Sequence, residues 1–519
     1  MSNSADELSN KLGADVCGTV LDHPAGLFIL FFTEMWERFS YYGMRALLVL
    51  FLVSDLADGG WGWDRADALK LYGTYTGLVY LTPIIGGWIA DKFLGSRMCV
   101  VLGALVMTLG HASMAFETRT FFYIGLGLLI VGNGLFKPNI STIVGGLYDK
   151  GSDKKDSAYT IFYMGINAGA FLGILLCGYI GENVGWNYGF GLAGVFMFVG
   201  MMQFYLAQNI FGSIGAKPIK RFDDDADDVH EEKDPVIIRD RLIVIGVLAF
   251  FTIFFWMAFE QAGGSMTIFA KDYTQRALTG GAAKFFTTAN LILTVGPLAI
   301  ITWVLALLFK QTFKRYAASN IFLGVGFAGI WALVIWMLLR DYTGGDTVTV
   351  PASWMGILNS FFIIVFAPLF SKMWATKYNP SGPIKFAVGL VLMGAGFGVL
   401  AWGSSGIELG AATAAVSMWW LIVAYWLHTM GELCLSPVGL SYVSKLAPAK
   451  LMSLMFGIWF LSNAIANKLA GASGSYIDKI SEQYGLSSFF LLFTAITVGA
   501  GILLWILTPF LKKRMHGIH

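Results

Sequence analysis

The chain alternates between long apolar stretches and short polar segments along nearly its whole length. Each apolar stretch is about 20 residues long or more, which is the length that an α-helix needs to cross the hydrocarbon core of a bilayer. We therefore expect an all-α polytopic membrane protein. The pattern predicts fourteen membrane-spanning helices, near 27–53, 68–90, 97–116, 119–146, 157–181, 187–210, 241–270, 285–309, 316–339, 350–373, 384–404, 413–444, 450–476 and 487–511.

A polar segment after the sixth predicted helix divides the chain. It contains the acidic run FDDDADDVHEEKD, which is too charged to pack in a core and is typical of a solvated linker. We predict a six-helix bundle at 1–211, a cytoplasmic linker at 212–240 and a C-terminal bundle at 241–519. Most lysines and arginines between the helices lie on the same side of the membrane as this linker, so the positive-inside rule places both termini in the cytoplasm.

Composition supports a membrane protein and argues against several other classes. Hydrophobic residues make up 56% of the chain and charged residues only 13%, whereas soluble domains carry about 25% charged residues. The net charge is +2 and there is no basic tract, so we expect no nucleic-acid partner. The four cysteines show no metal-ligand spacing, and no Ser/His/Asp set or phosphate-binding loop indicates an enzyme.

The first predicted helix carries charges where a membrane helix normally has none. A charge at the bilayer centre costs about 2.5–3.5 kcal/mol on insertion scales, so the face that carries them must contact protein or water. A buried ion-pair network that only ties helices together is one interpretation, but the tyrosines and the second arginine favour a functional site. The helical spacing of EMWERFSYYGMR places four charged residues and two tyrosines near one face: Glu34, Glu37, Arg38, Tyr41, Tyr42 and Arg45.

Five later predicted helices also contain polar or aromatic groups suited to a site. Lys137 lies in GNGLFKPN, and Glu432 lies in HTMGELCLSPVGL with His428 and Ser436 one turn away on either side. Buried charges such as Lys137 and Glu432 need partners on other helices. The structural alternatives are a helix–helix hydrogen bond made by Asn167, packing by the aromatic residues, and a core role for His428. The remaining groups are Asn167 in FYMGINAG, Trp256 and Glu260 in FFWMAFEQ, and Trp459 and Phe460 in IWFLSN.

Four motifs together resemble the proton-coupled oligopeptide transporter family. ERFSYYG, GNGLFKPN, FYMGINAG and GELCLSPVGL occur in the family's order, and GGWIADKFLGSR resembles a loop motif of the major facilitator superfamily. The resemblance implies a major facilitator fold of two six-helix bundles plus two extra helices. It also implies a proton-driven symporter for di- and tripeptides in the plasma (inner) membrane. Membrane lipid surrounds such a protein, and we expect no cofactor, no metal and no obligate protein partner.

The resemblance also assigns roles to residues at matching positions. Glu34, Glu37, Arg38 and Glu260 match the family's proton-coupling groups. Arg38, Arg45 and Lys137 match groups that face the peptide carboxylate, while Asn167, Asn359 and Glu432 match those that face its amine. The residues that match pocket-lining positions are Tyr41, Tyr42, Tyr80, Trp256, Ser436, Trp459 and Phe460.

One segment departs from the family pattern. Bacterial members often carry two extra helices after the sixth, but here that gap holds only the acidic linker. WMGILNSFFIIVFAPLF resembles family helix 8, which makes 285–339 an inserted helical hairpin and favours Asn359 over Asn290 as the family asparagine. Because the hairpin has almost no charge, we expect it to pack on the lipid-facing outside without contacting substrate. A gate or a dimer surface formed at the glycines of LGVGFAG is the alternative.

The chemistry of a small peptide agrees with these residue types. A peptide zwitterion presents a carboxylate and an ammonium group at a near-constant separation, while its side chains vary. The cations of the N-terminal half suit the carboxylate, Glu432 suits the ammonium group, and aromatic walls accept varied side chains. No histidine occurs in the second predicted helix, so proton transfer should fall to carboxylates. A same-fold transporter of nitrate, amino acids or drug-like anions, a membrane enzyme and a non-transporting nutrient sensor stay open as alternatives.

Overall fold

The computed structural model of the chain describes residues 17–149, 152, 154–217, 234–343, 345–376, 379–448 and 451–518. Within these residues it contains fourteen helices of 18 residues or more, named α1–α14 below. Most of the acidic run predicted as a linker lies outside the described residues. The helices are α1 (Ala25–Val53), α2 (Arg65–Ile89), α3 (Ser96–Met114), α4 (Arg119–Gly146), α5 (Lys154–Asn183), α6 (Trp186–Ala207), α7 (Pro235–Phe259), α8 (Gly280–Thr312), α9 (Ala317–Thr343), α10 (Ile357–Trp374), α11 (Gly382–Gly403), α12 (Trp419–Leu446), α13 (Met452–Gly474) and α14 (Leu486–Arg514).

Eleven candidate membrane spans, each containing one of these long helices, are long and apolar enough within the described residues to cross a membrane. The other three long helices are more polar. Helix α1 carries the four charges of its central stripe, α2 begins with RADALK, and α13 contains Asn463, Asn467 and Lys468. An all-helical architecture satisfies the backbone hydrogen bonds of each segment internally, as a bilayer requires.

The first turn of α7 begins earlier than the predicted start at 241. The Asp234 side chain accepts a hydrogen bond from the backbone N–H of Val236 at 2.8 Å. Pro235 occupies the first helical position, where its missing N–H leaves no helix bond unmade. This pairing of an N-cap acid with a proline ends the linker before residue 240.

The other end of α7 also differs from its predicted extent to 270. The helix ends at Phe259 and continues as a 3-10 turn at Glu260–Gly263, followed by a one-turn helix at Ser265–Ile268 and a π-type turn at Phe269–Tyr273. Gly264 has φ −119° and ψ −106°, a non-helical conformation that separates these turns. Glu260 therefore lies at a helix terminus, where the sequence pattern had predicted mid-helix.

Among the described residues, three pairs of very short strands lie between helix ends. Strand β1 (Thr19–Val20) pairs antiparallel with β2 (His23–Pro24). Strand β3 (Thr274–Gln275) pairs parallel with β6 (Val416–Ser417), and β4 (Ala277–Thr279) pairs antiparallel with β5 (Thr347–Thr349). The β4–β5 pair closes the base of the hairpin formed by α8 and α9, with Leu278 opposite Val348.

The chain divides into two compact units. Unit 1 contains Met1–Leu47, Thr82–Ile219 and Arg276–Trp354, and unit 2 contains Leu48–Leu81, Lys220–Gln275 and Met355–His519. The division follows packing and not chain order, because one boundary falls inside α1 and another falls inside α2. The predicted division into bundles at 1–211 and 241–519 stays a prediction.

The inserted hairpin packs within unit 1 through α9. The Ser319 hydroxyl donates to the Gln203 carbonyl on α6 at 2.8 Å. The ring of Phe327 lies 5.6 Å from that of Trp36 on α1. A side chain at Gly326 would press on Val199 and Trp36, so this glycine lets α9 approach its neighbours closely. At least one glycine of LGVGFAG is thus used for packing inside unit 1, which weakens the case for a dimer surface there.

The outward faces of the hairpin are apolar. Ile292, Ile300 and Trp303 on α8 and Val325 on α9 are all more than half exposed. Apolar side chains in such positions are stable against lipid tails, so this surface favours the predicted lipid-facing location. The absence of substrate contact stays a prediction.

Alanine replacement of the hairpin asparagines tests that prediction. Asn320 donates to the Thr312 hydroxyl at 3.0 Å across the hairpin turn, and Asn290 accepts from Thr294 within α8 at 3.1 Å. Because both side chains have structural partners, we expect Asn290→Ala and Asn320→Ala to leave the apparent peptide affinity within about twofold, well below the 1.4 kcal/mol of a tenfold change. The measurement is competition for uptake of a labelled dipeptide. A tenfold loss in either variant would place the hairpin in the transport pathway.

Candidate functional site

The charged stripe of α1 forms a compact ion-pair cluster in unit 1. The Arg38 Nε atom lies 2.8 Å from Glu34 Oε1 and 2.6 Å from Glu37 Oε2. Glu34, Glu37 and Arg38 are only 2%, 0% and 4% exposed. One guanidinium thus serves two carboxylates away from solvent. Removal of either charge type would leave the other buried without compensation, which is costly.

Helix α4 supplies a further partner that the sequence analysis did not single out. The Asn133 amide donates to Glu37 Oε1 at 2.9 Å and is itself buried. Lys137 lies one turn further along α4 and interacts electrostatically with Glu37. Asn133 is the second residue of the predicted motif GNGLFKPN, one helical turn before Lys137. That i, i+4 spacing was the available signal for placing both residues on the same face.

The remaining part of the α1 stripe consists of the buried Tyr41 and the partly exposed Tyr42 and Arg45. The Tyr41 and Tyr42 rings lie 5.2 Å apart in an edge-to-face arrangement. The Arg38 guanidinium lies 5.7 Å from the Tyr41 ring, and that of Arg45 lies 5.8 Å from the Tyr42 ring. Such cation–π contacts stabilise a cation over the face of an aromatic ring. Tyr42 and Arg45 are both partly exposed, as a substrate-facing role requires.

Asn167 is buried on α5, close to α1 in unit 1. Its amide donates to the Tyr163 carbonyl of the same helix at 3.0 Å, and this bond differs from the interhelical one considered from the sequence. The close approach of α5 to α1 depends on Gly169, where a Cβ atom would overlap the Met35 carbonyl oxygen and crowd the Arg38 side chain. The small residue therefore positions α5 beside the ion-pair cluster.

Gly169→Val is expected to destabilise the protein, because the added side chain has no room beside the α1 backbone. Overpacking of this kind costs about 1–3 kcal/mol and sometimes more. The matched control is Gly127→Val on α4, since Gly127 has no atom within 4 Å of an added Cβ. Thermal unfolding of both variants in detergent measures the difference. Equal unfolding temperatures would contradict the close packing of α5 on α1.

In unit 2, the buried Glu432 and the partly exposed Asn359 form a second polar pair. The Asn359 amide donates to Glu432 Oε2 at 2.8 Å and lies 3.1 Å from the Thr429 hydroxyl oxygen. Glu432 is 9% exposed. The amide–carboxylate contact joins α10 to α12 and supports the choice of Asn359 as the family asparagine. Asn290 belongs to unit 1, on the inserted hairpin.

Glu260 lies in unit 2 at the break that follows α7. It is 2% exposed, and the Tyr72 hydroxyl on α2 donates to its Oε2 at 3.2 Å. The neighbouring Gln261 donates to the Ala470 carbonyl on α13 at 2.9 Å. Glu260 was identified from the sequence, but the contacts made by Tyr72 and Gln261 were not. A tyrosine among several in α2 carried no signal of this contact.

The predicted pocket-lining residues of unit 2 fall into two groups. Trp256, Tyr80, Ser436 and Phe460 are partly exposed, as wall residues should be. Trp459 is 4% exposed and contacts the Phe386 ring edge-on at 6.2 Å, so packing accounts for much of its surface. His428 is buried with its ring 4.6 Å from that of Phe397, which agrees with the predicted core role.

No cluster of three or more His, Cys, Asp or Glu residues suited to a metal ion occurs among the described residues. The acids described above are instead engaged by arginine, asparagine and tyrosine. The arrangement in unit 1 can bind an anion and exchange a proton, and the pair in unit 2 can bind an ammonium group.

The chain's sequence also matches a known family. The POT family model matches residues 97–222 and 328–490, which together exceed half the chain. The chain belongs to the proton-coupled oligopeptide transporter (POT) family. This confirms the resemblance inferred from the motifs, and it confirms a transporter rather than an enzyme.

Two relatives match the chain along nearly its whole length. It is 33% identical to the "Uncharacterized transporter YclF" of Bacillus subtilis over 514 residues, covering 96% of each chain. It is 31% identical to the "Di-/tripeptide transporter" of Lactococcus lactis subsp. cremoris over 517 residues, covering 95% of this chain and 96% of the relative.

A solved POT structure has the same fold. The crystal structure of peptide transporter POT in complex with sulfate superposes with a TM-score of 0.77 at 28% identity, covering 98% of this chain and 99% of that chain. The prediction of an all-α integral membrane protein with a major facilitator fold is confirmed. The eleven apolar candidate spans and the three more polar long helices are consistent with the predicted fourteen spans.

Proposed function

We propose that the chain is a proton-coupled symporter that imports di- and tripeptides across the plasma (inner) membrane by alternating access. The proposal rests on POT family membership together with two buried groups of the right chemistry. These are the Glu34–Arg38–Glu37 cluster with Asn133 in unit 1 and the Asn359–Glu432 pair in unit 2. The distribution of lysines and arginines along the chain supports cytoplasmic termini.

The peptide is recognised by its two charged ends. Arg38, Arg45 and Lys137 bind the carboxylate, since arginine and lysine both form strong charge-assisted hydrogen bonds to carboxylates. Glu432 binds the ammonium group, with Asn359 holding its carboxylate in place. The partly exposed aromatic residues accept varied side chains without demanding particular hydrogen bonds.

Proton coupling follows from the sharing of Arg38 by two carboxylates. A peptide carboxylate that draws Arg38 toward itself leaves Glu37 buried with less compensation. A buried carboxylate without a cation is costly, so uptake of a proton relieves the penalty. Release of the peptide returns Arg38 to Glu37 and expels the proton. Glu260, held by Tyr72, is a second carboxylate available for the same cycle.

Uptake of a labelled dipeptide into proteoliposomes tests the proposal. With an acidic exterior, the purified protein should accumulate the dipeptide above its equilibrium level, and a protonophore should abolish that accumulation. Competition by unlabelled tripeptide, free amino acids and nitrate then identifies the substrate class. Because Glu432 suits an amine, peptides should compete and nitrate should not. Accumulation of an inorganic anion or a free amino acid in place of peptide would replace the proposal with a same-fold transporter of that substrate.

A further inference from the structure

An open crevice lies in unit 1, between the inserted hairpin and the helices of the main bundle. Its volume is about 630 Å³, within the range of small-molecule sites. Residues from the end of α3, from α6 and from α9 line it, among them Ala115, Tyr188, Gly191, Val195, Leu333 and Trp336. The crevice lies where α3 and α9 end and α6 begins, the end that the charge distribution places outside the cytoplasm.

The lining of this crevice is mostly apolar, with Asn187 and Tyr188 among its polar residues. Tyr188 is 61% exposed, Val195 57% and Trp336 41%. On α9, Leu333 and Trp336 are three residues apart and so project from one face. In an integral membrane protein such a surface faces hydrocarbon, and tyrosine and tryptophan are the aromatic residues enriched where hydrocarbon meets headgroups.

A cation marks the rim of the crevice. Arg340 lies one turn beyond Trp336, is exposed, and has its guanidinium carbon 5.6 Å from the Trp336 ring. The adjacent acid, Asp341, accepts a hydrogen bond from the Tyr179 hydroxyl at 2.8 Å. The crevice therefore combines an apolar lining with an accessible arginine at its rim. An apolar surface next to a cation matches a phospholipid, which joins an acyl chain to an anionic phosphate.

We propose that the crevice binds one acyl chain of a phospholipid, with the lipid phosphate held by Arg340. Arginine binds phosphate through two parallel N–H···O bonds, which an uncharged lipid such as a diacylglycerol cannot reproduce. The binding site belongs to the inserted hairpin as much as to the main bundle. A bound lipid would stabilise the packing of α9 against α6.

Gly191 offers a way to fill the crevice without disturbing the fold. An added Cβ there would meet only the Ala115 side chain, at 3.7 Å, which is an ordinary van der Waals contact. Gly191→Leu should therefore occupy the space of the acyl chain. Gly127→Leu is the matched control, because Gly127 also lies in a helix, is exposed, and has no atom within 4 Å of an added Cβ. Both changes raise helix propensity by the same amount, so that effect cancels.

The experiment is native mass spectrometry of the purified protein after titration with lipid in detergent. Three probes are used: phosphatidylglycerol, phosphatidylethanolamine and a diacylglycerol, which has acyl chains but no phosphate and no charge. Gly127→Leu should bind each phospholipid as wild type does, and Gly191→Leu should lose bound phospholipid by about tenfold or more, since each buried CH₂ contributes about 0.8 kcal/mol. Arg340→Gln should weaken both phospholipids by about tenfold, as expected for one charge-assisted contact, and leave the diacylglycerol unchanged. Arg119→Gln, an exposed arginine at the start of α4, is the charge control.

Equal phospholipid binding by Gly191→Leu and Gly127→Leu would overturn the site. Equal loss of diacylglycerol and phospholipid in Arg340→Gln would overturn the phosphate contact. A dimer mass that is present in wild type and lost in Gly191→Leu would show that a second copy of the chain covers the crevice instead. Arg340 is at the surface, so its replacement keeps the test informative even if Gly191→Leu folds poorly. Binding is read without transport, and the outcome is independent of the proposed symport activity.

Discussion

Uptake driven by a proton gradient is expected to fall to the protein-free background in Glu37→Gln. Glutamine keeps the shape of the side chain and can still accept the hydrogen bond from Asn133, but it can no longer take up or release a proton. Arg38 retains Glu34 as its partner, so the cluster keeps one ion pair and the variant should fold. The measurement is dipeptide accumulation in proteoliposomes with an acidic exterior.

Counterflow separates a coupling defect from a binding defect in Glu37→Gln. Exchange of labelled for unlabelled peptide needs no net proton movement, so it should persist at least in part. Asp156→Asn serves as the control, because Asp156 is an exposed acid in the first turn of α5 and should leave both assays unchanged. Normal acid-stimulated uptake by Glu37→Gln would contradict the proton-coupling role of this carboxylate. Loss of counterflow together with uptake would point to binding instead.

Glu432→Gln should weaken binding of free dipeptides far more than of N-acetylated dipeptides. The acetylated amine carries no charge, so it has little to lose when the carboxylate becomes an amide. Loss of a desolvated charge pair costs about 2–5 kcal/mol, which is roughly 30-fold or more in affinity. Asn359 can still donate to the glutamine oxygen, so the α10–α12 contact should survive. Competition for labelled dipeptide uptake gives the two affinities.

Lys137→Ala provides the mirror-image measurement at the other end of the peptide. It should weaken free acids more than C-terminally amidated peptides, because the amide lacks the negative charge that a lysine attracts. Two exposed residues serve as controls, Glu408→Gln in unit 2 and Lys284→Ala in unit 1, and neither should discriminate blocked from free peptides. If both site variants lost blocked and free peptides equally, the assignment of peptide ends to these residues would be wrong.

The helices of this protein could be predicted well because their signal is local. An apolar run of bilayer length predicts a helix whatever its neighbours are, and α1 at Ala25–Val53 agrees closely with the predicted 27–53. The exceptions lie where a few residues override the run. Asp234 and Pro235 start α7 early, and the glycines after Glu260 end it early. The Asp–Pro and glycine signals can be recognised in the sequence, but a hydropathy pattern does not take them into account.

The acids and bases of the candidate site were also visible in the sequence, because a buried charge stands out in an apolar segment. Their partners were not visible. Asn133 is 96 residues from Glu37, and Tyr72 is 188 residues from Glu260. An asparagine or tyrosine in a membrane helix is common enough that only packing shows which one faces a carboxylate. Asn359 was distinguished from Asn290 by motif, and its contact with Glu432 supports that choice.

The sequence by itself determined that the chain spans a membrane, that charged groups lie within its first helix and that its motifs are those of a peptide transporter. The first two properties follow from residue type and spacing along single helices, and the third follows from the resemblance of four motifs to a known family. The tertiary structure alone decided which helices touch. It assigned the hairpin at Arg276–Trp354 to unit 1 although its sequence neighbours on both sides lie in unit 2. Close approaches through Gly169 and Gly326 depend on complementary surfaces of two helices, and no periodicity within one helix specifies its partner.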